Sequence, residues 1–438
     1  MFKIKLNIIL FLISLFTAST VYADKFSFEK LGTFYELEEE NDYLEFLREV
    51  VLEQPEFSYA TAILNEAEMN LKFSRRQRLP ELSLRVVNDE VLSRKIKENN
   101  AIRKIRDDSF DGVVEIRQAI YSGGGINAGV RKAKEGAYHI SLSKKKAISE
   151  LIYNANGIYT KAISSFLLYQ HSEKILKELE PFLEKVKARV DAGISDPVEF
   201  ALFSVRYNNI KSIVANLSAN SRRDISVYEN FFKREFNNKL YPKVKIDDQS
   251  ISYSNTSFDV EMSQSKFKES IEDVTIAKSE YRPQFGFAAR FTKYDLDDNL
   301  GDEDVRGGLY FSYPFFDFGR SSAKISGSKA KSRAARENIG IEKKRDINSE
   351  AEFISILDSA VKSRNEIYQA FVDTKKQREI IAKRIELSGF VASSLAETAL
   401  NEINQLKSLM DAESNLLSAY FGLLHQNQLL LQRTLMVF

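Results

Sequence analysis

A strand pattern that turns on glycine and runs directly into a very long helical period leaves few folds open, and this chain carries that junction twice. In the first copy Val114, Ile116 and Ile120 share one face of an extended segment, because strand side chains alternate between faces. Gly123, Gly124 and Gly125 then supply a backbone free to take positive φ, as an abrupt corner needs. From Ile126 to about Val190 the helical period holds without a stop, which at 1.5 Å per residue predicts a helix of about 95 Å. No ordinary globular domain needs such a helix. The second copy, residues 313–334, sets Phe316, Asp317 and Gly319 against Tyr121, Ser122 and Gly124, so the architecture reads as a duplication.

Each half follows one order: helix, strand, strand, long helix, return helix. Residues 46–73 read as helical with a break at Pro55, and Ala60, Leu64, Ala67 and Leu71 form an apolar stripe. Leu79 and Pro80 stop the helix before a strand at 82–87, a polar loop at 89–110 and a strand at 112–121. In the long helix Ile175, Leu179, Phe182, Val186 and Val190 recur at steps of three and four, the seam of a coiled coil, with a kink expected at Pro181. Gly193 ends it, and Ser195 or Asp196 caps a return helix that has Pro197 in its first turn and carries Leu202, Val205, Ile210, Ile213 and Leu217. Residues 233–257 connect the halves. The order then repeats: a helix at 260–279, a strand through Phe285, Phe287, Ala289 and Phe291, an acidic tip from Asp295 to Asp304, and a strand through Leu309, Phe311, Tyr313 and Phe315. A helix from Ser321 to near Leu400 follows, and a last helix carries Leu409, Ala412, Leu416, Tyr420 and Leu423. The organisation expected is a signal peptide at 1–23, one repeat at 24–232 and another at 258–438.

Lys3 and Lys5 before the apolar run 8–16, with Val21-Tyr22-Ala23 in the pattern signal peptidase accepts, predict export with cleavage after Ala23. No later apolar stretch is long enough for a membrane helix, so strands would have to carry any membrane role. The absence of cysteine excludes disulfides and lipidation of an N-terminal cysteine. A net charge of +1 from 63 basic and 62 acidic residues gives no case for nucleic acid. The three histidines His139, His171 and His425 are isolated, so no catalytic or metal constellation is expected, and no cofactor. The glycines at the first corner lack the Gly-Lys-Ser/Thr of a phosphate loop, and the acidic tip lacks the spacing of a calcium loop. A bilayer tolerates no open sheet edge, so two hairpins of alternating strands predict several chains sharing one barrel. A periplasmic or surface coiled-coil scaffold or adhesin is the competing reading; it explains the heptads but not the paired strands with glycine corners.

With these motifs in this order, the chain resembles the TolC-like outer-membrane efflux and secretion channels. The resemblance rests on LEQPEF at 52–57, RLPELSL at 78–84, QAIYSGG at 118–124, RVDAGISDPVEF at 189–200, YRPQFGF at 281–287, YPFFDFG at 313–319 and LMDAESNL at 409–416. It implies a mixed α+β membrane protein in which three identical chains build a twelve-stranded β-barrel in outer-membrane lipid above a periplasmic tunnel of antiparallel helices. It also implies a passive exit duct that works with a periplasmic adaptor (membrane fusion) protein and an inner-membrane transporter of RND or ABC type. The helix-reversal tips, where the adaptor would dock, then comprise Gly193, Ser195 and Asp196 in the first repeat and Glu402 and Asn404 in the second. The resemblance places the second reversal at 399–405, with Asn401 or Asn404 in the left-handed position. It puts Asp411 and Ser408 at the pore entrance, where the family often has two acids one helical step apart, so that Asp411 would form a three-fold ring of carboxylates. Pairing of Asp411 with Lys407 is the plainer reading.

Overall fold

The computed structural model describes residues 37–38, 40–90, 92–93, 109–237, 240–242, 256–296, 302–388 and 392–434. The expected signal peptide, most of the 89–110 loop, most of the connector and part of the acidic tip lie outside the described residues. The helices are α1 (Glu40–Glu53), α2 (Pro55–Arg76), α3 (Gly125–Asp191), α4 (Pro197–Phe232), α5 (Phe258–Ser279), α6 (Arg320–Ser388), α7 (Ala392–Gln426) and α8 (Leu429–Arg433). The strands are β1 (Leu37–Glu38), β2 (Glu81–Asp89), β3 (Ser109–Ser122), β4 (Tyr241–Pro242), β5 (Gln284–Lys293) and β6 (Glu303–Ser312). Two compact units emerge, and they cut across the repeats. One gathers residues up to Ser58, Lys145–Phe258 and Arg345–Phe438, and the other Tyr59–Lys144 and Asp259–Lys344.

The first unit is helical. α3, α4, α6 and α7 share a core of Ile175, Leu179 and Val186, of Phe203, Tyr207, Ile210 and Val214, of Ile385, and of Leu395, Ala396, Ala399 and Ile403. The steps of four and seven in the first set and of four and three in the second bury one stripe per helix, the packing that a coiled-coil seam produces. On α4 the stripe read from the sequence holds in its second half and fails in its first: Ile210 is buried and Ile213 and Leu217 pack against the core, but Leu202 and Val205 are exposed, and Phe203 and Tyr207 take their place in the seam. Two overlapping apolar stripes run along this helix, and only contact with α7 chooses between them. α3 continues through Pro181. The aromatic residues Tyr43 and Phe46 of α1 pack on Tyr159, and Phe46 stacks on Phe232 at 5.3 Å between ring centroids.

The second reversal is not at 399–405. Glu402, Asn404 and Asn401 lie inside α7, none has positive φ, and α6 ends at Ser388. Arg378 pairs with Glu402, Arg364 with Glu413 and Gln426 with Asp346, so α6 and α7 run antiparallel. Residues 389–391 lie outside the described ones. Asp411 therefore sits about five turns inside α7 rather than beside the reversal.

The second unit holds a four-stranded antiparallel sheet in the order β2-β3-β5-β6. β6 differs from the expected strand. It begins at Glu303 and ends at Ser312, so Tyr313 and Phe315 fall outside it while Glu303 and Asp304 pair with Lys293 and Thr292. Pro314 offers no N–H to a ladder, which ends the strand early. β3 carries a bulge: register shifts between Ala119 and Tyr121, leaving Ile120 as the extra residue, and Tyr121 rather than Ile120 pairs with Phe285. Acids on α5 tie that helix to both long helices. Asp273 binds Lys132 at 2.6 Å and Lys331 at 3.0 Å, and Glu272 binds Arg131 at 2.7 Å.

Candidate functional site: a two-faced sheet with matched corners

The ladder sets which side chains share a face, since directly opposite residues point the same way. On one face the rows are Leu82, Ile116, Ala289 and Gly307; Leu84, Val114, Phe291 and Val305; Gln118, Phe287 and Leu309; and Tyr121, Phe285 and Phe311. Gln118 apart, these rows are apolar on all four strands, with the charged pair Lys293 and Glu303 only in the next row toward the loop end, and much of the face is bare: Leu84 is 73% exposed, Leu309 80% and Phe311 70%. The opposite face has rows of Glu81, Arg117, Ala288 and Gly308; Ser83, Glu115, Arg290 and Arg306; and Arg85, Val113, Thr292 and Asp304. Arg117 binds Glu115 at 2.9 Å and Arg306 binds Asp304 at 2.5 Å. A soluble sheet turns its apolar face to a core, and here that face is open.

The two strand-to-helix corners share their backbone. Gly123 and Gly124 have φ of 64° and 92°, and Phe318 and Gly319 repeat the pair at 55° and 88°. Ser122 Oγ accepts from Ile126 N, while Asp317 accepts from Ser321 N four residues on and from Gly319 N. Hydrogen bonds from Ser321 hold the Asp317 carboxyl below its usual range. Gly125 is the first residue of α3. Only the first corner demands glycine for space as well as for φ: a Cβ on Gly123 would overlap Ser279 O, whereas Phe318 is 91% exposed.

At the first helix reversal Gly193 has φ of 69°. Ile194 N donates to Arg189 O at 2.8 Å and Gly193 N to Val190 O at 2.9 Å, the pair of bonds that closes a helix on a left-handed residue. Asp196 caps α4 by accepting from Val198 N at 2.8 Å, and Ser195 Oγ accepts from Arg189. The sequence-expected tip residues of the first repeat thus converge on one turn. Those of the second do not: Glu402 is buried against His171 and Arg378.

Ser408 and Asp411 line a groove of about 660 Å³ between α6 and α7, together with Ser355, Ser359, Ser363 and Asn415. No ion pair joins Asp411 to Lys407 among the described residues. Among those residues no group of three His, Asp or Glu side chains is placed to hold a metal, and no helix is long and apolar enough to cross a membrane. Sequence reasoning missed the buried charges Arg364, Arg378, Glu402 and Glu413; their residue types carry no mark of burial in a chain that is 29% charged.

No protein-family model matches the sequence, and no curated protein sequence matches it. Solved structures do. The outer membrane protein VceC of Vibrio cholerae is 14% identical, with a TM-score of 0.75, over 88% of this chain and 96% of that one. The Campylobacter jejuni CmeC outer membrane channel is 12% identical at a TM-score of 0.75, over 89% of this chain and 85% of its own. The open state of the Neisseria gonorrhoeae MtrE outer membrane channel gives 14% identity and a TM-score of 0.64, over 90% and 88%. With the doubled corners, the long antiparallel helices and the four-stranded sheet all present, the chain has the fold of the TolC-like outer-membrane channels.

Proposed function

We propose that the protein is the outer-membrane exit duct of a three-component exporter, a homotrimer in which each chain contributes four strands to a twelve-stranded barrel and its long helices to a periplasmic tunnel. One observation carries the reading: a sheet with a bare apolar face, a charged opposite face and unpaired outer strands β2 and β6, in a chain with an outer-membrane channel fold. Lipid takes the apolar face, water the charged one, and closure by three copies removes the edges. A coiled-coil scaffold has no use for such a sheet. Conduction is passive, and the energy comes from an inner-membrane transporter of RND or ABC type, joined through a periplasmic adaptor, in drug efflux or type I secretion. The protein should extract from outer membranes as a trimer that heat dissociates; a monodisperse monomer in mild detergent with its β signal intact would overturn the reading.

The Gly193 turn is the tip at which the adaptor docks in this scheme. Gly193→Val tests it cleanly, because no atom lies within 4 Å of the added Cβ and the substitution acts only through the positive φ. A left-handed valine costs about 1–2 kcal/mol locally. Export should fall while trimer yield and single-channel conductance stay unchanged; unaltered export would detach the turn from docking.

A further inference from the structure

The charged sheet face is not balanced along its length. In its three central rows, four guanidinium groups, Arg85, Arg117, Arg290 and Arg306, face three carboxylates, Glu81, Glu115 and Asp304. Arg117 and Arg306 are matched within their own strands by Glu115 and Asp304. Arg85 and Arg290 have no ion-pair partner among the described residues, and both are exposed. Arg290 also stands directly opposite Arg306 in the ladder. Like charges in directly opposed positions destabilise a sheet, so this pair is a local conflict of the kind that marks function rather than folding. Toward the loop end the same face turns acidic at Asp111 and Asp89, about 7–14 Å along the strands from the third row. Asp111 lies within the screening length of about 8 Å at physiological salt and Asp89 beyond it, so Asp111 offsets the third row most and the first two rows less.

We infer that these rows form an anion-attracting belt in the barrel and that the preferred cargo is anionic. The inference rests on the duct reading, since only closure turns this face toward a water-filled passage, where a ring of one sign concentrates the opposite ion. Three chains repeat the surplus around one axis. Arg290 and Arg85 carry the selectivity; Arg117 and Arg306, already matched, contribute less.

The test is reversal potential in planar bilayers under a potassium chloride gradient, using the purified full chain. Arg290→Gln combined with Arg85→Gln should shift the potential toward that of potassium, and Arg290→Lys with Arg85→Lys should keep it at the unmodified value. Arg117→Gln should move it less than Arg290→Gln. A double glutamine variant that conducts with an unshifted potential overturns the belt, as does a lysine variant that shifts as far as the glutamine one. Failure of the unmodified protein to give any conductance steps would instead count against the duct itself. Should the double variant fail to insert, the potential of Arg290→Gln alone decides in the same way.

Discussion

Arg364→Met should lower the stability of the full-length protein by about 3–5 kcal/mol, among the largest single-residue effects expected in the chain. Arg364 is 1% exposed and Glu413 0%. The arginine donates from Nε and Nη2 to Glu413 Oε1, both at 2.7 Å, and its guanidinium lies 5.0 Å from the centre of the Tyr368 ring. Burial first, and the Glu413 charge second, push the buried Tyr241 phenol up from its ordinary range, so a further negative charge is poorly tolerated here. Methionine fills a similar volume but strands a carboxylate in an apolar interior. Replacing both partners, Arg364→Met with Glu413→Leu, should recover most of the loss, because a dry apolar pair makes no demand for solvation. Denaturant midpoints of the detergent-solubilised protein measure this; a single variant as stable as the parent, or a double variant no better than the single, would refute the account.

Glu402→Gln should cost about 3 kcal/mol near neutral pH, and the deficit should shrink in acid. The Glu402 carboxylate is buried between α3 and α6, accepting from His171 Nε2 at 2.8 Å and Arg378 Nε at 2.5 Å. Arg378 also binds Glu178 at 2.6 Å, which closes a cluster across α3, α6 and α7. Burial alone would push the Glu402 carboxyl up, but the hydrogen bonds and charges of His171 and Arg378 outweigh it and hold it below the usual carboxylate range. A group depressed on folding stabilises fully above its unfolded value, about 4.3, and loses that contribution as pH falls through the lower folded value. Parent and variant should therefore differ fully at pH 6–7 and draw together as the pH falls below the unfolded value and through the lower folded one. A difference that stays constant across this range would remove the carboxylate charge from the explanation.

The duplicated plan was legible because its signals are local. Glycines beside alternating apolar residues mark the corners at 123–125 and 319, and Gly193 followed by Asp196 and Pro197 marks the first reversal, since each residue type answers a backbone need of its own position. The second reversal offers no comparable cap and proline, and the apolar residues of α7 fit more than one helical register. Its place was decided by long-range pairing, Arg378 with Glu402, Arg364 with Glu413 and Asp346 with Gln426, which no local pattern encodes. The same holds for the choice of α4 stripe, made by contact with α7, and for the bulge that replaces Ile120 with Tyr121 on the apolar face. Periods of 3.6 and 2 residues follow from backbone geometry, so the sequence alone determines that helices and strands form, in what order, and which residues turn them. Which charges end up dry, and which rows of arginine stand opposite one another, depends on partners far away along the chain, and only the packed tertiary structure decides it.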